Sequence, residues 1–354
     1  MPLKFDDMTE RLAALAEHYD THSCWPQRSL DILGQAGCWR WAIPKKWGGT
    51  ALDDVALLEA YEAVARGCVA TALILTQRDG ACDLIARGEN DDLKKRLLRA
   101  YARAERFTSI GIAQLTTSKR GRRPALIAKH DGQDYILDGV MPWVTGADQC
   151  DEIVTGAVLP DGRQILACVS GEDPGVVVEP ALKLMALGAS CTSRVRCQRV
   201  RVSPDQLIRG PADIALAMRA PVKPLVVSAV GLGLAGALHD RLTHDPVTPE
   251  VKPHLKPGAQ LYRRVRAHLF EAAGRIGRQN GDVDARAIRV AVNELVAKLG
   301  MAYLTISKGT GYAHPHPAER LLREAMFFLV WSAPTDVQTG TLRVLLGGQD
   351  GPAA

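Results

Sequence analysis

The segment Tyr135-Ile136-Leu137-Asp138-Gly139-Val140-Met141-Pro142-Trp143-Val144-Thr145-Gly146-Ala147 lies at the centre of a β-rich stretch of the chain. Residues 134–137 read as a strand, and Asp138-Gly139 reads as a turn signal because glycine takes positive φ without steric cost. The same pairing of a short apolar run with a turn recurs on both sides. Residues 107–112, 125–129, 153–158, 164–169, 175–178, 194–197 and 199–202 are further strand candidates. Asp131-Gly132, Asp161-Gly162 and Asp173-Pro174-Gly175 punctuate them. Many short strands with regular turns predict a compact antiparallel sandwich or barrel.

Outside this stretch the texture is helical. Towards the N-terminus, Met8, Leu12, Leu15 and Ala16 recur near helical spacing, and Val55, Leu57, Leu58, Ala60, Tyr61 and Val64 form a second stripe. Residues 70–84 read as a buried helix, and Pro44 with Gly48-Gly49 marks a loop before it. Towards the C-terminus, residues 211–239, 258–278, 284–307 and 317–331 are helix candidates, with a Pro-rich loop at 245–257. The expectation is an α+β chain in three parts: an N-terminal helical domain (1–106), a middle β domain (107–210) and a C-terminal helical bundle (211–354).

Composition narrows the function classes. With 354 residues, 47% of them hydrophobic and 23% charged, the chain has ordinary globular composition. A net charge of +5 is too small to point to nucleic acid. No stretch reaches 18 uninterrupted apolar residues, and the longest run, 224–238, is broken by Ser228, Gly231, Gly233 and Gly236, so no membrane span is expected. The first twenty residues read as an amphipathic helix rather than a signal peptide. Eight scattered cysteines contain no CxxC pair, which predicts reduced, buried thiols in a cytoplasmic protein and no zinc site.

Four landmarks then resemble the acyl-CoA dehydrogenase superfamily over nearly the whole length. Ile43-Pro44-Lys45-Lys46-Trp47-Gly48-Gly49 is similar to that family's IPxxxGG loop. The segment 135–147 is similar to its GYxLxGxKxWITNA hairpin and flavin loop. Gly188-Ala189-Ser190-Cys191-Thr192 through Gly210 resembles the run that leaves the β domain. Lys308-Gly309-Thr310-Gly311-Tyr312, followed by Pro317-Ala318-Glu319-Arg320-Leu321-Leu322-Arg323-Glu324-Ala325, is similar to GGxGY…PxERLxRDA.

The resemblance implies an FAD-dependent oxidoreductase, with FAD between the β domain and the bundle of a homodimer or homotetramer. It implies an acyl-CoA or acyl-carrier-protein substrate and an electron-transfer flavoprotein as a possible partner. It places Trp143 against the flavin ring, Thr145 near its reactive nitrogen, Thr116 among the flavin contacts and Gln260 at a subunit contact with the cofactor. Independently, an indole stacks on a flat apolar ring, and a hydroxyl on a turn can bond its edge. Trp143 as sandwich core, Thr145 as an ordinary strand residue and Gln260 on a polar helix face are the plainer readings of the same residues.

The resemblance also fails in places. In the family a glutamate removes the proton beside the thioester carbonyl; counting without gaps from Tyr312 puts Ser332 there. Serine has no carboxylate-like pKa and cannot serve directly as that base. Some relatives carry the base on the first bundle helix, but no acid lies between Asp213 and Asp240. Asp336 and Glu324 are the nearest acids, Glu324 at the family's structural Asp. The TEPxxGSD loop is replaced by a run containing Lys119, Arg120, Arg122 and Arg123, four cations that could clamp phosphates or simply face solvent. The RxxFG pyrophosphate signature is missing. His314 and His316 lack a third ligand and make no metal site. Three readings stay open: acyl-thioester dehydrogenase, flavin monooxygenase on the same scaffold, and silent flavin or acyl-thioester binder.

Overall fold

The computed structural model describes residues 4–116, 124–278 and 283–347. The N-terminal part is helical. Helix α1 (Phe5–His22) buries Met8, Leu12, Ala16 and Tyr19, one face at helical spacing. Helix α2 (Gln27–Gln35) follows, and two 3-10 turns flank Pro44 in the loop before α3 (Asp54–Gly67). Asp53 caps α3 by accepting from the Ala56 N–H at 2.9 Å. Helix α4 (Val69–Arg87) is buried on nearly every side, Arg78 and Asp79 included. Asn90 caps α5 (Asp91–Ala102).

The middle of the chain is one mixed sheet. Strand β1 (Thr108–Gly111) leads through the short helix α6 (Ala113–Thr116) to β2 (Leu126–Asp131) and β3 (Asp134–Val144). Then come β4 (Glu152–Val158), β5 (Gln164–Val169), β6 (Val176–Val178), β7 (Ser193–Val202) and β8 (Leu207–Ala212). The order is β6-β7-β3-β2-β4-β5-β8, with β1 beside β4. The pairings of β1 and β2 with β4 are parallel and the others antiparallel, so the sheet is not wholly antiparallel as the turn pattern suggested. Asp138-Gly139 is a bulge rather than a turn. Gly139 sits at φ +133°, a Cβ there would lie 2.1 Å from the Ala125 carbonyl oxygen, and β3 runs on to Val144. Opposite it, Arg199 donates its N–H to the Asp138 carboxylate at 2.8 Å, and the two short strands expected at 194–202 are one.

Among the described residues, five helices follow the sheet: α7 (Lys223–His244), α8 (Lys252–Gly277), α9 (Ala285–Gly311), α10 (Pro317–Phe327) and α11 (Thr335–Leu346). Residues 211 and 212, expected to open the first bundle helix, end strand β8, and α8 begins inside the expected Pro-rich loop, with Pro253 accepted in its first turn and Pro257 inside it. Among the described residues, two helices, α7 and α9, are long and apolar enough to cross a membrane. The relevant window of α7 is 72% buried, and α7 packs against α3, α8 and α9 as a core helix does.

One apolar cluster joins the N- and C-terminal helices through residues such as Leu12, Tyr61, Leu232, Leu295 and Phe328. A second fills the sheet around Leu137, Met141, Val195 and Val200. A third seals α4 and α5 onto the sheet through Leu84, Leu98, Leu166 and Ile208. The acyl-CoA dehydrogenase architecture of N-terminal helices, central β sheet and C-terminal helices is thus the observed one.

Candidate active site

At the end of β3 the indole of Trp143 is 54% exposed, whereas Val144 and Thr145 are buried. Gly146, at φ +60°, then turns the chain into a 3-10 turn, Ala147–Gln149. A Cβ at Gly146 would lie 2.6 Å from the Trp25 ring, so the N-terminal helical part packs directly on this turn. The Gly146 N–H donates to the Ser190 carbonyl at 2.9 Å. Ser190 ends a 3-10 turn (Gly188–Ser190), and Cys191 follows at φ +44°. This kink brings the Ser190 and Thr192 hydroxyls to 2.8 Å, and Thr192 reaches the Thr145 hydroxyl at 3.4 Å. All three hydroxyl-bearing residues are buried.

The loop before β7 is also tied to the C-terminal helices. Arg323 of α10 donates to both Asp20 oxygens at 2.6 and 3.1 Å, to Glu319 at 2.6 Å and to the Met185 carbonyl at 3.0 Å. Asp20, His314 and Glu319 present ligand atoms within 4.8 Å of one another, but the Arg323 guanidinium already bonds both carboxylates. His314 bonds Glu319 at 2.8 Å, while His316 caps α10 by accepting from the Ala318 N–H, so the two histidines do not converge.

Burial pushes the Glu319 carboxyl up, but its bonds to Arg323 and His314 outweigh this and leave it below its ordinary value of 4.5. A depressed carboxylate stabilises the fold above its unfolded value, and that contribution is lost as pH falls through the folded value. The stability of wild type is therefore expected to fall more steeply below about pH 4.5 than that of Glu319→Gln. Urea midpoints measured against pH check this; parallel curves would contradict it.

Where α10 ends, Arg289 of α9 reaches under the next turn. It is buried, donates to the carbonyls of Phe328 and Trp331 at 2.7 and 2.8 Å, and bonds Asn293 at 2.9 Å. Burial lowers its pKa to about 10. The turn it holds exposes Ser332 at φ +46°, after a half-buried Trp331 stacked on Phe327. Asp336 is exposed and ion-paired with Arg286 at 2.7 Å. Glu324 is fully buried beside Arg320 at 3.0 Å; desolvation raises its pKa, and its Oε2 has no hydrogen-bond partner.

The remaining sequence candidates are placed less informatively. Thr116 is exposed, with its hydroxyl donating to Ala113 in its own helix. Gln260 is exposed on α8. Also on α8, Arg266 turns inward to a two-point bond with Glu62, at 2.7 and 2.8 Å. Lys119, Arg120, Arg122 and Arg123 lie outside the described residues. Sequence reasoning missed Arg289, Ser190 and Thr192 as site residues, and missed Gln114, whose buried amide N–H groups tie β1 to β4 through Gly111, Thr155 and Gly156. A lone amide in an otherwise apolar stretch was the available signal for Gln114.

A flavin fits this arrangement on the ring side. An exposed indole stands beside a buried hydroxyl whose one side-chain partner is at the long limit of a hydrogen bond, 3.4 Å, leaving capacity for a ring edge.

Comparison with known proteins shows what the chain is similar to. Residues 6–105 match the family described as acyl-CoA dehydrogenase, N-terminal domain. The chain is 26% identical to the probable acyl-CoA dehydrogenase FadE25 of Mycobacterium tuberculosis, over 96% of this chain and 94% of that one. Among solved structures it is similar to glutaryl-coenzyme A dehydrogenase in its glutaryl-CoA complex, with TM-score 0.83 and 20% identity over 99% of this chain and 97% of the other. It is also similar to butyryl-CoA dehydrogenase from Megasphaera elsdenii, with TM-score 0.83 and 18% identity over 98% and 99% of the two chains. The fold is that of the acyl-CoA dehydrogenases, and residues 6–105 carry the match to the N-terminal domain of that family.

Proposed function

We propose that this protein binds FAD with the ring against Trp143 and Thr145 and oxidises the Cα–Cβ bond of an acyl thioester. The observation that carries this reading is the exposed Trp143 beside the buried Thr145, on a turn clamped by both the N-terminal helices and the 188–192 loop. FAD, when bound, supplies the hydride acceptor.

The chain's own part is to bind, orient and exclude water. Trp143 offers a flat apolar face and Thr145 a hydrogen bond at the ring edge. Gln260 and Thr116 are the other cofactor candidates, and Lys119, Arg120, Arg122 and Arg123 suit the phosphates of CoA or FAD. Ser332 stands where the family's glutamate stands. A hydroxyl is a poor proton acceptor at neutral pH, so removal of the α-proton, and with it turnover, is slow. Asp336, held by Arg286, is not part of this reading. The substrate carrier is CoA or an acyl-carrier protein, and an electron-transfer flavoprotein fits as acceptor at the exposed Trp143. The apolar side chains left exposed at Val330, Leu342 and Leu346 suit a homodimer or homotetramer contact.

Ser332 also favours a second reading, flavin monooxygenation, which needs no α-proton base. The two separate cleanly. Reduction of bound FAD by an acyl-CoA without oxygen supports the dehydrogenase; oxygen uptake driven by NADPH, with FAD unchanged by thioesters, supports the monooxygenase.

A further inference from the structure

Three buried hydroxyls run in a line behind the Trp143 turn: Ser190, Thr192 and Thr145, with oxygen separations of 2.8 and 3.4 Å. In a regular strand, side chains two apart point to the same face but stand well separated along it. Here Cys191, at φ +44°, kinks the backbone between Ser190 and Thr192 and brings their hydroxyls into contact. Among the described residues, none of the three hydroxyls has any other hydrogen-bond partner. Both ends of the chain have spare capacity, and the Thr145 end lies next to the exposed indole.

We infer that Thr192 and Ser190 are positioning residues that let the Thr145 hydroxyl reverse its polarity toward a bound flavin. This rests on the flavin reading given above. Each hydroxyl has one proton to give and lone pairs to receive. If Ser190 donates to Thr192 and Thr192 to Thr145, the Thr145 proton is free for an acceptor. If Thr145 donates to Thr192 and Thr192 to Ser190, the Thr145 oxygen is free for a donor. A flavin presents both demands in turn: its ring-edge nitrogen accepts when oxidised and carries an N–H when reduced. The line of hydroxyls meets both at the ring edge; facing a reduced ring it moves the proton that lacks an acceptor away from the ring, to Ser190.

The sign of the effect follows. Without the Thr192 hydroxyl, Thr145 still donates to an oxidised ring. Facing a reduced ring, it must accept, and its own proton then has no buried acceptor. Thr192→Val is expected to weaken binding of reduced FAD relative to oxidised FAD by about tenfold, which lowers the two-electron midpoint potential by about 30 mV. Thr192→Ser keeps the hydroxyl and should return the potential to the wild-type value. Ser190→Ala should shift it in the same direction by less, and it carries the test if Thr192→Val does not hold FAD. The readout is the midpoint potential of bound FAD, from anaerobic dithionite titration against a reference dye. A Thr192→Val potential equal to or above wild type, with FAD bound, overturns this inference alone. A wild-type protein that takes up no FAD overturns the cofactor reading, and this inference with it.

Discussion

Ser332→Glu is expected to raise the rate of flavin reduction by an acyl-CoA by about 10²–10⁴-fold, the usual contribution of a positioned general base. On the proposed reading the α-proton meets the Ser332 hydroxyl, a poor base at neutral pH. A glutamate at this position would present a carboxylate on an exposed turn that the protein already holds firmly. Arg289 fixes that turn through the carbonyls of Phe328 and Trp331. Its guanidinium charge has no carboxylate bonded to it among the described residues, and it would favour the ionised form of an acid placed above it. The positive φ at position 332 is carried by serine already, so the replacement adds little backbone strain. Ser332→Gln, similar in size but without basicity, should leave the rate near that of wild type. Stopped-flow reduction without oxygen makes the comparison. Equal rates for the Glu and Gln variants would mean that the turn does not face the substrate.

The second large effect concerns stability. Arg78 and Asp79 are adjacent on α4, paired at 2.7 Å, and 1% and 0% exposed. Asp79 also accepts from the Tyr61 hydroxyl at 2.8 Å; Arg78 donates to the Tyr101 carbonyl at 2.7 Å and lies over the Trp39 ring. Burial, and then the Asp79 charge, push the Tyr61 hydroxyl well above its ordinary pKa, so it stays a neutral donor. Asp79→Ala leaves a buried guanidinium without a counter-charge and a buried phenol without an acceptor. The expected cost is about 3–5 kcal/mol. The double variant Arg78→Met/Asp79→Leu removes both charges and should recover much of it. Urea unfolding followed by far-UV circular dichroism measures both. A loss under about 1 kcal/mol for the single variant would show that the pair relaxes toward water.

The sequence was most readable where local chemistry decides the backbone. The loop after Ile43 and the buried helix at 70–84 carry residues with few conformational alternatives: proline, paired glycines, a long apolar run. It was misleading where tertiary contact reuses a local signal. Asp138-Gly139 looks like a hairpin turn, yet the close approach of the Ala125 backbone makes it a bulge within one long strand. Strand β7 likewise runs unbroken through Gln198, where two strands were expected, with the Arg199 N–H bonded to Asp138. Helix α11 was missed because few of its residues are buried, and its apolar side chains give no clear stripe. Arg289 could not be recognised at all. An arginine in a helix reads as surface, and only the fold shows it turned inward beneath Ser332. The hydroxyl chain was hidden for a similar reason: Ser190 and Thr192 stand two apart in the sequence, and only the kink at Cys191 joins them.

The most direct measurement is the visible spectrum of the FAD-loaded protein, recorded without oxygen before and after adding acyl-CoAs of different chain length. The account predicts a flavin absorbance that at least one thioester bleaches, slowly in wild type and much faster in Ser332→Glu. A flavin band that no thioester changes in either protein would contradict it.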